Sequence, residues 1–154
     1  MKIFFFILLT FSIDSFLNLY YSNFYLLYPM FVVSSLIILY FLINNKKNYI
    51  IISILLGLIY DFIYSNIFIN TILFFVISII IIKVFSKNTN IFKIIMCLLL
   101  IIFIYDLFIF LYVVIVKNYT FTISYFINKI LYSYLLNIIY VILSYFIFCR
   151  KKYL

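Results

Sequence analysis

The chain reads as long apolar runs separated by short polar breaks. The runs cover about residues 3–19, 24–43, 49–64, 67–82, 91–116 and 125–149. The breaks are Tyr20-Tyr21-Ser22-Asn23, Asn44-Asn45-Lys46-Lys47-Asn48, Ser65-Asn66, the basic stretch Lys83–Asn90 and the Thr-rich stretch Lys117–Ser124. Unbroken apolar runs of this length predict helices; a membrane barrel would show short alternating segments instead. Six runs therefore predict an all-α, polytopic membrane protein with six transmembrane helices in one integral membrane domain, residues 1–154. The third and fourth runs hold only 16 residues each, the short end for a span, which suits a thin bilayer or burial among longer helices. Met1-Lys2 before an apolar run looks like a secretion signal. No Ala-x-Ala-like cleavage site follows and Asp14 interrupts the run, so the first run is expected to remain as a span. Pro29 falls in the first turns of the second run, where proline does least harm. Tyr20, Tyr21, Tyr25 and Tyr28 suit an interfacial belt.

Polar positions inside the runs are spaced for helices. Ser53, Gly57, Asp61 and Ser65 recur every four residues, so one face of the third helix is small or polar. In lipid such a stripe admits a second helix at close range, and an Asp on it needs a partner. The stripe serves either a partner protein's helix or the chain's own packing. Thr10, Asp14 and Asn18 share a face in the first run in the same way. The three acids, Asp14, Asp61 and Asp106, all lie on the odd-numbered runs. Leu58-Ile59-Tyr60-Asp61 echoes Phe103-Ile104-Tyr105-Asp106.

Charge orients the spans. If the N-terminus is cytoplasmic, Lys2, Lys46, Lys47, Lys83, Lys87, Lys93, Arg150, Lys151 and Lys152 lie inside, against Lys117 and Lys129 outside. This asymmetry predicts both termini in the cytoplasm and an even number of spans. Lys129 lies about one turn inside the sixth run, at the depth expected of Asp14 and Asp61, so it is read either as their ion-pair partner or as a lysine reaching out to headgroups. Ten residues separate Asp106 from Lys117, or roughly 16 Å of helix, which predicts the deepest of the three acids. Ser133 and Asn137, four apart on the sixth run, are its expected neighbours.

Composition sharpens this picture. The residues are 71% hydrophobic and 9% charged, with a mean hydropathy of +1.39, where soluble domains are about a quarter charged. The chain has no Ala, Gln, His or Trp, one Gly and one Pro. Its favoured residues, Ile, Phe, Tyr, Asn and Lys, have A/T-rich codons, so the missing Ala and Gly are discounted as evidence about packing. The net charge of +8 does not point to nucleic acid, because the basic residues sit at the ends of apolar runs. Cys97 and Cys149 are expected to be small buried hydrophobes rather than a disulfide or metal ligands. Without histidine, a nucleophile–base pair, a metal constellation or a phosphate-cradling glycine loop, no enzyme and no cofactor is expected. Asn118-Tyr119-Thr120 matches a glycosylation acceptor, a weak three-residue signal.

The stretch Gly57-Leu-Ile-Tyr-Asp61-Phe-Ile-Tyr-Ser65, followed by Asn70, resembles the MreD family of rod shape-determining membrane proteins. The family shows a Gly-x-x-x-Asp helix, a polar turn and a downstream Asn. Tyr28-Pro29 resembles the family's Pro-Asp start to its second helix, with Met30 in the place of the Asp. Phe68-Ile69-Asn70 stands where the family has Gly-Leu-Asn. The resemblance implies a non-enzymatic inner-membrane part of the bacterial elongation machinery. Its partners would be the bitopic protein MreC, the cytoskeletal protein MreB, RodA and a class B penicillin-binding transpeptidase. It also implies Ser53, Gly57, Asp61, Ser65 and Asn70 as residues for partner binding or helix packing. The family is similar in fold to the substrate-binding subunits of energy-coupling-factor vitamin transporters. That leaves a second function open, in which Asp14, Asp61, Lys129 and residues 118–124 would line a ligand pocket.

Overall fold

The computed structural model describes residues 2–20, 29–65, 68–86, 90–117 and 123–149. They form six helices: α1 (Lys2–Tyr20), α2 (Phe31–Leu42), α3 (Lys46–Tyr60), α4 (Ile69–Val84), α5 (Ile91–Lys117) and α6 (Ile123–Phe148). A π-helical turn, Asp61–Ser65, extends α3. No strand occurs among the described residues. Residues 21–28 (with Tyr25 and Tyr28), Asn66, Lys87, residues 118–122 and residues 150–154 lie outside the described part.

Each apolar run contains one helix, but the lengths differ from expectation. Lys46–Tyr64, Ile91–Ile115 and Phe126–Phe148 are long and apolar enough to cross a membrane. The second run holds a helix of only 12 residues, which rises about 18 Å against a core of about 30 Å. Pro29 and Met30 precede this helix rather than lying inside its first turns. At the other end of α2, Asn45 caps α3 by accepting a hydrogen bond from the Lys47 N–H, so α3 starts three residues before the expected Tyr49.

The short helix is the centre of the molecule. α2 touches all five other helices, and every residue from Phe31 to Leu39 is buried. Its sequence is apolar on all sides, and only burial on all sides suits such a helix. Its Ser34 and Ser35 hydroxyls are bonded, to Asn137 Oδ1 and to the Val32 carbonyl. The end of the bundle that carries Lys46, Lys47 and Lys83 is fastened by rings. Phe41 packs on Phe85 at 5.1 Å and on Tyr145 at 5.5 Å, and Tyr40 packs on Tyr49 at 5.5 Å. These contacts join the end of α2 to the start of α3 and the ends of α4 and α6. Cys97 and Cys149 are free thiols, both buried.

Candidate functional site: buried acids at the helix starts

Neither α2 nor α4 supplies its own cap. The residues before them, Met30 and Phe68, make no side-chain capping bond. A helix start leaves N–H groups without partners, and lipid or a packed interior offers no water to replace them. In both cases a carboxylate from the preceding helix takes over.

At α4 the acid is Asp61. Oδ1 accepts from the Asn70 N–H at 3.1 Å and from Asn70 Nδ2 at 2.8 Å. Oδ2 accepts from the Thr71 N–H at 2.8 Å and from the Thr71 hydroxyl at 2.6 Å. Both oxygens are thus doubly engaged at the positive end of the α4 dipole. Asn70 in turn accepts from the Tyr105 hydroxyl at 2.7 Å, which ties the cap to α5. Gly57 makes this approach possible. A Cβ there would stand 2.7 Å from Thr71 Cα and 3.1 Å from the Asn70 carbonyl oxygen, closer than side-chain atoms tolerate. Ser53, on the same face, is buried and donates to the Tyr49 carbonyl. Gly57 and Asp61 therefore lie against the chain's own α4, and Ser65 closes the π-helical turn just beyond them.

At α2 the acid is Asp14. Its Oδ1 accepts from the Phe31 N–H at 3.0 Å, while Oδ2 is buried without a hydrogen-bond partner among the described residues. The neighbouring Met30 N–H goes to Asn137 of α6 at 3.2 Å. Asn137 also accepts from Ser34 at 2.8 Å and donates to the Ser133 carbonyl. One turn along α1, Thr10 meets Tyr140 of α6 at 2.7 Å. The start of α2 is thus held jointly by α1 and α6.

The third acid behaves differently from the sequence-based expectation. Lys129 pairs with Asp106, Nζ to Oδ1 at 3.2 Å, and not with Asp14 or Asp61. The contact has ion-pair distance without hydrogen-bond alignment, and Asp106 Oδ2 has no hydrogen-bond partner among the described residues. Ser133 and Asn137 are not its partners, since Ser133 donates to the Ile130 carbonyl and Asn137 serves α2. Asn137 marks the level of the α2 start, and Lys129 precedes it by eight residues, about 12 Å nearer the end away from Lys46 and Lys47. α5 has 27 residues, about 40 Å of helix, more than a core of about 30 Å requires.

The sequence carried one unused sign of these caps. Met30 and Phe68 are poor capping residues, so a helix beginning after either must borrow an acceptor from elsewhere. Among the described residues, no three His, Cys, Asp or Glu side chains gather as metal ligands. The fold and these contacts define an all-helical protein with helices fit to cross a membrane and with acids that start its shorter helices. Comparisons with protein-family models, curated proteins and solved structures returned no match.

Proposed function

We propose that the chain is a non-enzymatic, multi-pass component of the bacterial cytoplasmic membrane that belongs to the cell-elongation machinery, in the manner of MreD. In this reading six helices cross or enter the membrane with both termini in the cytoplasm. The protein organises peptidoglycan synthesis with an MreC-like bitopic protein, an MreB-like cytoskeleton, RodA and a class B penicillin-binding transpeptidase. The supporting observation is that Gly57, Asp61 and Asn70, the residues that carry the resemblance, meet at one point where α3 crosses the start of α4. A vitamin-binding subunit is the competing reading. It is less favoured because Asp61, which would face a ligand, is engaged by four donors within the chain.

Depletion in a rod-shaped host tests the proposal. Rounded cells, together with co-purification of an MreC-like protein, are expected. Unchanged shape with vitamin auxotrophy would select the transporter reading. Reporter fusions after Asn45, Asn66, Asn88 and Thr122 should read inside, outside, inside, outside, and an outside signal at Asn88 would overturn the topology.

A further inference from the structure

The outer part of α6 carries three hydrogen-bond donors within one turn: Asn128, Lys129 and Tyr132. At 100° per residue they occupy an arc of about 100° on the helix surface. Asn128 is exposed and Tyr132 is 40% exposed. Neither makes a side-chain hydrogen bond among the described residues. Lys129 keeps 21% of its side chain accessible while Asp106 holds it from the buried side. By contrast Thr10, Ser34, Ser53, Asn70 and Asn137 are buried and bonded.

α2 rises about 18 Å from the end bearing Lys46 and Lys47, and Lys129 lies about 12 Å beyond the α2 start. Along α6 itself Lys129 lies 20 residues before Cys149, about 30 Å of helix, so in an α6 that crosses a membrane the two stand at opposite boundaries of the hydrocarbon core. Side chains lean toward the N-terminus of their helix. α6 enters from the boundary at Lys129, so its side chains lean outward, toward the headgroups. Phospholipid phosphates lie just beyond this level and accept hydrogen bonds from ammonium, amide and phenol groups alike.

We propose that Asn128, Lys129 and Tyr132 form a seat for the phosphate of a phospholipid in the leaflet opposite the Lys46–Lys47 end. Asp106 is a positioning residue. It neutralises Lys129 from below and keeps the ammonium on the α5 side of the seat, so that Asn128 and Tyr132 provide the discrimination. The seat recognises the phosphate and not the tails. The proposal does not depend on a role in cell elongation.

The test uses the full chain in nanodiscs, with native mass spectrometry after mild detergent extraction. The probes are phosphatidylglycerol, phosphatidylethanolamine and diacylglycerol. Wild type should retain one of either phospholipid per chain and no diacylglycerol. The double variant Asn128→Leu with Tyr132→Phe leaves the Lys129–Asp106 pair in place. It should lose retention by about tenfold, the equivalent of one to two modest hydrogen bonds. A thermal melt matching wild type establishes that the variant is folded. Equal retention of diacylglycerol would show a tail-held lipid and overturn the proposal, as would unchanged retention in the folded variant. Displacement by inorganic phosphate alone would also overturn it, by showing a site for soluble anions rather than lipid. If the variant fails to fold, retention by wild type of phospholipid over diacylglycerol decides alone.

Discussion

The starts of α4 and α2 use the same device with opposite economy of chain. At α4, Asp61 reaches residues nine and ten positions ahead and satisfies four donors. At α2, Asp14 satisfies one donor with one oxygen, and the next N–H is met by Asn137, 107 residues away. The first cap is local and closed within a hairpin. The second is assembled by the tertiary fold. A local cap forms with its hairpin, whereas the cap of α2 exists only once α1 and α6 both stand beside it. The two should therefore fail differently.

Asp61→Ala should have the largest effect. It strands two backbone N–H groups and two side-chain donors at a buried helix start, a loss of about 3–5 kcal/mol by analogy with broken buried charge networks. Reduced membrane abundance and a lowered melting temperature in detergent would register it. Asp61→Asn should recover part of the loss, because an amide oxygen still accepts. Equal abundance of Asp61→Ala and wild type would remove Asp61 from any role in starting α4.

Gly57→Ala comes next. The added Cβ meets backbone rather than a movable side chain, so α3 and α4 must separate, at a cost of about 1–3 kcal/mol. The same hairpin bears this change and the Asp61 change, so the pair should be less than additive in a melting series. Full additivity would mean that the close approach and the cap are independent.

Asp14→Asn should be the mildest of the three, about 1 kcal/mol, since one amide oxygen can replace the one bond Asp14 makes. Its sharper signature is coupling. Asp14→Ala and Asn137→Ala act on adjacent N–H groups of one helix start, and a double-mutant cycle should return an interaction of roughly 0.5–3 kcal/mol. Zero coupling would separate the two contacts.

The sequence made the helices legible and their meeting points only partly so. Continuous apolar runs mark six helices because lipid-facing and core-facing residues are chemically alike here. That same likeness hides which face of α5 meets which face of α6. Spacing of four placed Ser53, Gly57 and Asp61 on one face, and the short loop after them made α4 the neighbour at hand. The pairing of Lys129 with Asp106 was not legible because it depends on the vertical offset of α5 and α6, which residue type does not set. The length of α2 was misjudged because an apolar run continues on both sides of Pro29, and hydropathy alone does not register where the helix begins.

The central position of α2 also constrains how the protein is made. A helix of 12 residues is too short to be handed to lipid as a span in its own right. The acceptor for its Met30 N–H lies 107 residues downstream, so a ribosome adding about 5–20 residues per second delivers it roughly 5–20 s later. Through that interval the middle of the molecule is an unfinished segment waiting on the last helix to leave the ribosome. A ribosome paused before α6 emerges should hold a nascent chain whose second segment is still open to protease or to a cysteine-reactive probe, in a molecule whose α3–α4 hairpin is already closed.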